Sequence, residues 1–356
     1  MPSSPDEPAI LTGAARLRVP LRHDRVAALR AIMGPGDPAA RQLALGIRAT
    51  AHRHFDRHVV PRVAAHWPAL FTQPFYEKLR IGACDLYASA PYTAFFCAPR
   101  RPPLVRLVTG LGDSLPLPIA ALAVIGRGAM GVLGRVAYRE EHRRIALVAA
   151  FIVVVDHVFD HCMSDPPEER ERRLLGVLRG TAPPTSPELA LAASLARGMA
   201  EGLDARDRVV FGAAMDQVYG WIHAEVRAML GEPDPSGMGH RLAGVEGTID
   251  GLLFPVARYG GEGTRRWMID VSLFVQIADD WLDADADMAS GRSTPVLTGE
   301  WTLRDVEASW RRSVAGLEQL LRDVGLDSPR YVRFVREAYV LMMGDVIGAM
   351  AQRPDA

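Results

Sequence analysis

Two stretches of this chain place acid on helical spacing. The segment FVQIADDWLDADADMASGR, residues 274–292, holds five aspartates and one arginine behind an otherwise apolar run. Side chains four apart on a helix stack on one face, so Asp279, Asp283 and Asp287 line up, with Asp280 one step around. Like charges packed this way oppose helix formation unless something positive sits between them. Hard divalent ions such as Mg²⁺ take carboxylate oxygens and share their remaining positions with water and substrate phosphates. In AAFIVVVDHVFDHCMSD, Asp156 and Asp160 again stand one turn apart, directly after a run that must be buried. Two such helices facing each other across a cavity suit a ligand with a diphosphate head and a hydrocarbon tail. Metal ions bridge the carboxylates to the head, and the tail lies among apolar side chains. A calcium loop competes for DADADMASGRST and fails: Met288 stands where the tight turn needs glycine, and Thr294 where a bidentate glutamate is required.

Helices must carry these groups, and the chain reads as helical nearly throughout. In RDVEASWRRSVAGLEQLLRDVG, Val306, Trp310, Val314, Leu317 and Leu321 recur at intervals of three and four, with Thr302 as N-cap and Gly325 closing the segment. Strand alternation is hard to find anywhere in the chain. Breaks fall at MGPGDPAA, APRRPP, GTAPPTSPE, GEPDPSGMG and YGGEG, which separate helices rather than domains. The expectation is an all-α fold in a single domain over residues 20–356, behind a disordered proline-rich tail at 1–19. The apolar runs LPLPIAALAVIG and IALVAAFIVVV are shorter than the roughly 20 residues that cross a bilayer, so they read as buried helices and no transmembrane segment is expected.

Composition narrows the function. With 356 residues, 49% hydrophobic and 23% charged, the chain can bury a large core, and a formal net charge of −1 with scattered basic residues gives no reason to bind nucleic acid. Three cysteines, Cys84, Cys97 and Cys162, are too few and irregular for a disulfide framework or a four-ligand zinc site, and no secretory leader opens the chain, which points to the cytoplasm. Lys78 is the sole lysine, an arginine bias read as codon usage rather than phosphate binding.

These residues resemble a known family. FVQIADDWLDADADMASGR is similar to the second aspartate-rich motif of the all-α isoprenoid synthases, an apolar helix ending in Asp-Asp-x-x-Asp, further acid and a basic residue. VVVDHVFDH resembles the first motif, in the Asp-x-x-x-Asp form of squalene and phytoene synthases. Order, spacing and length are most similar to bacterial large terpene synthases of the tetraprenyl-β-curcumene synthase type, over about residues 135–300. The resemblance implies an isoprenoid synthase helical bundle around a central apolar cavity, and a Mg²⁺-dependent class I terpene synthase acting on a prenyl diphosphate. Asp156, Asp160, Asp279, Asp280 and Asp283 would then be the catalytic metal ligands, with Asp287 a further or outer one, holding two or three Mg²⁺ ions on the diphosphate. Ionisation of the C–O bond gives an allylic cation that the pocket cyclises or deprotonates. The exposed apolar helices common in that fold also allow a homodimer.

Further residues are assigned around this centre. Arg292 follows the second motif and its fork suits phosphate oxygens. Arg241 and Arg258 flank GVEGTIDGLLFPV, whose Gly247, Thr248 and Gly251 permit a close backbone approach or a helix break near the ligand. Tyr219, Trp221, Phe254 and Phe274 are candidate cavity walls, with plain core packing as the alternative. His157 and His161 have metal-ligand spacing but are assigned to hydrogen bonding with the carboxylates or diphosphate. Chain-elongating synthases carry an early glycine-lysine-arginine cluster for a second diphosphate. The nearest equivalent, YEKLRIG with Lys78 and Arg80, lacks its glycines and lies far ahead of Asp156, favouring a substrate used alone. The asparagine-serine-glutamate triad of many bacterial cyclases is also missing. A prenyltransferase, elongating or head-to-head, and a non-catalytic prenyl-lipid binder are the alternatives.

Overall fold

Apolar residues recurring every three or four positions drive helix formation by giving each helix a stripe to bury. The structure, a computed structural model, describes residues 22–88, 90–93, 139–230, 237–292, 294–323 and 326–351, and among these no strand occurs. The main helices are α1 (Arg22–Met33), α2 (Arg41–His58), α3 (Val60–His66), α4 (Pro74–Ile81), α5 (Arg139–His161), α6 (Pro167–Leu178), α7 (Pro187–Ala200), α8 (Ala205–Met229), α9 (Gly237–Gly247), α10 (Phe254–Ser290), α11 (Pro295–Thr298), α12 (Leu303–Asp323) and α13 (Pro329–Ala351). Two π-helical turns interrupt them, Gly82–Tyr87 directly after α4 and Thr248–Leu252 directly after α9.

The run IALVAAFIVVV forms the middle of α5, where Leu147, Ala150, Phe151 and Val154 are fully buried or nearly so. Helix α5 packs against α7, α2 and the first π-turn; α8 lies against α9 and the second π-turn; α10 runs along α12 and touches α1. Val306, Trp310, Leu317 and Leu321 all point into the core from α12, as their spacing predicts, and Thr302 starts that helix with its hydroxyl on Asp305 at 2.6 Å. Gly251 belongs to the second π-turn because a Cβ there would stand 1.7 Å from that of Ala214 on α8, so the turn approaches that helix at backbone distance.

One predicted break is corrected. YGGEG lies inside α10, which continues unbroken from Phe254 to Ser290. A helical glycine costs only about 1 kcal/mol relative to alanine, and a helix packed along α12 supplies more than that. The tail at 1–19, the run LPLPIAALAVIG, Cys97 and Gly325 lie outside the described residues.

Candidate active site

The C-terminal turns of α5 and the last third of α10 come together over one cavity of about 220 Å³. Asp156 and Asp160 line it from α5, and Asp279, Asp280, Asp283 and Asp287 from α10. The apolar lining comes from Tyr87 at the end of the first π-turn, Phe151, Ile152, Val155 and Phe159 on α5, Val218, Trp221, Ile222 and Met229 on α8, and Leu252 in the second π-turn. Gly291, at φ +72°, ends α10 by accepting a left-handed conformation, and its neighbour Arg292 donates its backbone N–H to Asp287 O at 2.9 Å. The chain thus turns back over the motif, and Arg292 Nη2 donates to Asp160 Oδ1 at 2.9 Å, joining the two acidic helix ends.

A second cluster closes around Arg241 on α9. Its Nη1 donates to Asp280 Oδ2 at 2.6 Å and its Nη2 lies 3.4 Å from Glu225 Oε1, which also accepts from Trp221 Nε1 at 3.1 Å. The Arg241 guanidinium sits 5.7 Å above the Trp301 ring. Burial pushes Asp280 up to about 7; Arg241 opposes the rise, while Glu225, Asp279 and Asp287 reinforce it. Asp287 rises to about 6, again chiefly through burial, with Arg292 opposing and Asp283 and Asp279 adding to it.

Both shifts come chiefly from burial, and neighbouring carboxylates add to it. Among the described residues seven carboxylates, counting Glu225, line the cavity against the guanidiniums of Arg241 and Arg292. Excess negative charge in a poorly solvated space is relieved either by protonation or by a cation. The donor set fits Mg²⁺, which needs only one or two carboxylates where waters and phosphate oxygens complete its octahedron. Among the described residues no group of three or more histidine, cysteine, aspartate or glutamate side chains is arranged to hold a metal ion unaided. The carboxylates that would serve are Asp156 and Asp160 on one wall and Asp279, Asp283 and Asp287 on the other; Asp280 is engaged by Arg241.

The structure brings nine of the thirteen assigned site residues to this cavity: the six motif aspartates, Arg241, Arg292 and, as a wall, Trp221. Tyr219 and Phe274 do not line it. Phe274 is fully buried against Trp310, ring centroids 5.0 Å apart, and Tyr219 packs beneath the Arg179 guanidinium at 4.8 Å. A 3.6-residue period turns Phe274 away from the α10 stripe of Gln276 and Asp279, and Tyr219 away from the α8 stripe of Val218, Trp221 and Ile222. The side chains of Phe254 and Arg258 lie outside the described ones. His157 also departs from expectation: its ring stacks on Phe75 at 3.4 Å between centroids, with Trp67 beyond, and does not line the cavity. Burial, reinforced by His161, lowers its pKa to about 4. Lys78 and Arg80 are also off the cavity, and Arg80 turns to His52 and Asp56.

Sequence reasoning missed Tyr87, Glu225, Gln276 and Thr294. Glu225 had a signal, since Val218, Trp221, Ile222, Glu225 and Met229 form one helical stripe in which it is the sole charge. Tyr87 had none, because a π-turn rotates the side chains that follow it out of the usual period. Comparison with protein-family models, curated proteins and solved structures finds no match to this chain.

Proposed function

We propose that this chain is a Mg²⁺-dependent class I terpene synthase of the isoprenoid synthase type, ionising one prenyl diphosphate and cyclising or deprotonating the resulting cation. The observation that carries this is the convergence of Asp156 and Asp160 with Asp279, Asp283 and Asp287 over one cavity whose other walls are apolar. Mg²⁺, when bound, neutralises diphosphate oxygens and so favours departure of the diphosphate with the C–O electron pair. Asp156, Asp160, Asp279, Asp283 and Asp287 would hold the ions.

The chain's own groups do the rest. Arg241 and Arg292 bring positive forks to the rim, where they add hydrogen bonds to diphosphate oxygens. Glu225 orients Arg241 on one side and Trp221 on the other. Below the rim, the faces of Trp221, Phe151, Phe159 and Tyr87 offer negative π-density to a carbocation, and the aliphatic side chains keep bulk water from it. The position of Lys78 and Arg80 away from the cavity supports a single-diphosphate substrate over chain elongation.

The test is incubation with Mg²⁺ and a panel of prenyl diphosphates from ten carbons upward, with and without isopentenyl diphosphate. We expect diphosphate release and a terpene product from a single substrate, and a loss of about 10²–10³-fold in kcat for Asp279→Asn or Asp283→Asn. Product only in the presence of isopentenyl diphosphate would instead identify a prenyltransferase. Tight binding without diphosphate release, unchanged in the two variants, would identify a binding protein.

A further inference from the structure

Asp285 is the aspartate of the acidic run on α10 that does not line the cavity. At 3.6 residues per turn it stands about 160° around the helix from Asp283 and from Asp287. Its carboxylate faces α1, where Arg25 Nη1 donates to Oδ1 at 3.1 Å and Nη2 donates to Oδ2 at 2.7 Å. Nη2 also donates to the Leu282 carbonyl oxygen at 3.3 Å, a backbone group next to Asp283. One planar fork thus grips a side chain and the helix backbone within the same acidic turn.

A buried guanidinium is a costly way to seat a helix. The buried stripe of α1 reads Arg25, Leu29, Met33; the Arg25 side chain is fully buried, while that of Asp285 is 56% exposed. Helix α1 already packs against α10, α12 and α13. Replacing a buried ion pair by apolar residues of similar volume is often neutral or stabilising, so stability is a weak reason for this one. Geometry is a better reason. Apolar burial is non-directional and leaves a long helix free to roll or slide slightly on its neighbours, whereas a two-point grip fixes both rotation and height. Mg²⁺ demands near-ideal octahedral oxygens at about 2.0–2.1 Å, and a group displaced by about 1 Å can cost about 10²-fold. The turn that Arg25 grips is the one whose other face carries Asp279, Asp283 and Asp287 into the cavity.

We propose that Arg25, acting through Asp285 and the Leu282 carbonyl, is a positioning residue for the metal-binding carboxylates of α10. The inference rests on the synthase assignment above, and it gives Asp285 a role in which it never meets the ion. The pair is neutral overall, so removing both members leaves the net charge around the cavity unchanged. A change in metal requirement then reports displaced carboxylates and not an altered field.

The experiment follows binding of ³²P-labelled inorganic diphosphate to the full chain by equilibrium dialysis over a range of Mg²⁺ concentrations, with thermal unfolding measured in parallel. Arg25→Met with Asp285→Ala replaces the pair by apolar groups, and it should unfold within a few degrees of wild type. Its half-maximal diphosphate binding should need at least about tenfold more Mg²⁺. Arg25→Lys keeps the charge but loses the fork, and should need several-fold more Mg²⁺. An unchanged Mg²⁺ requirement in the double variant, or in Arg25→Lys should the double variant not fold, overturns this proposal and leaves the synthase assignment standing. A lower unfolding temperature with the Mg²⁺ requirement unchanged does the same, since it assigns the pair to the fold alone. Wild type that binds diphosphate equally well without Mg²⁺, or not at all, overturns the metal-centred reading of the cavity and this proposal with it.

Discussion

Arg292 does two things at once: its backbone closes α10 and its side chain reaches Asp160 on α5. A planar fork can bond Asp160 while presenting further N–H groups to a ligand, and a lysine ammonium cannot match that geometry. For Arg292→Lys we expect diphosphate release to fall by about tenfold, and for Arg292→Ala by about 10²-fold. Unfolding in urea should change by no more than about 1 kcal/mol, since the pair is part-exposed. Asp85 is the opposite case, a structural carboxylate. Burial alone would raise its pKa, but hydrogen bonds from His52 and from Arg48, at 2.7 Å to both oxygens, overcome that and hold it below the usual range. Asp85→Asn should therefore cost about 2–3 kcal/mol in urea unfolding while altering the cavity only through Tyr87 two residues on. The six aspartates were legible at this scale because identical charges four apart on an apolar helix have few physical reasons to exist. The amide of Gln276 was not, since a single glutamine in an apolar run carries no signal until its missing partner is seen.

The two π-turns are the elements that sequence periodicity handles worst, yet each delivers part of a cavity wall. The first carries Tyr87 and is clamped by Arg48 on Asp85; the second carries Thr248 and Leu252 and is clamped by Arg265, whose Nε and Nη2 each donate to Asp250 at 2.6 Å. Gly247, Thr248 and Gly251 did mark the second as a close approach or break, and it proves to be both, since glycine is the cheapest route to backbone contact. The YGGEG stretch, by the same signal, suggested a break that α10 does not make. Glycines tell where a backbone can bend or be approached, and packing decides whether it does. Gly251→Ala tests the approach: its methyl would overlap Ala214, so we expect a loss of about 1–3 kcal/mol in unfolding free energy. The double variant Gly251→Ala, Ala214→Gly should recover most of it, because the methyl is then moved from one side of the contact to the other.

Across the whole molecule, the helical class was legible from spacing alone, while the pairing of helices about the cavity was not, because periodicity gives each helix a buried face without naming its neighbour. Titration reports on that packing away from the cavity. His142 on α5 lies buried in a ring stack with His54 of α2, 4.5 Å between centroids, and Tyr92. Burial, then the nearby His54, Arg53 and His58, lowers its pKa to about 3 from 6.5. A histidine that resists protonation in the folded state favours unfolding once the unfolded chain can take the proton, so its stabilising contribution is intact above pH 6.5 and is lost as pH falls towards 3. Between those limits wild type should lose up to about 1.4 kcal/mol per pH unit more than His142→Gln. The cavity makes the complementary case, an assembly with too much negative charge for its space. Among the described residues seven carboxylates face two guanidiniums there, so a cationic ligand that binds the folded state alone raises its stability by RT ln(1 + [L]/Kd), about 2.7 kcal/mol when the ligand is at a hundred times its Kd. Among the described residues Mg²⁺ by itself finds no complete set of protein ligands and should shift thermal unfolding little. Mg²⁺ with inorganic diphosphate brings the missing oxygens and should raise Tm by several degrees. Asp279→Asn with Asp283→Asn takes two carboxylates off one wall of the cavity, and the response of the variant to Mg²⁺ with diphosphate should vanish. A variant that still responds would mean that the cations bind elsewhere.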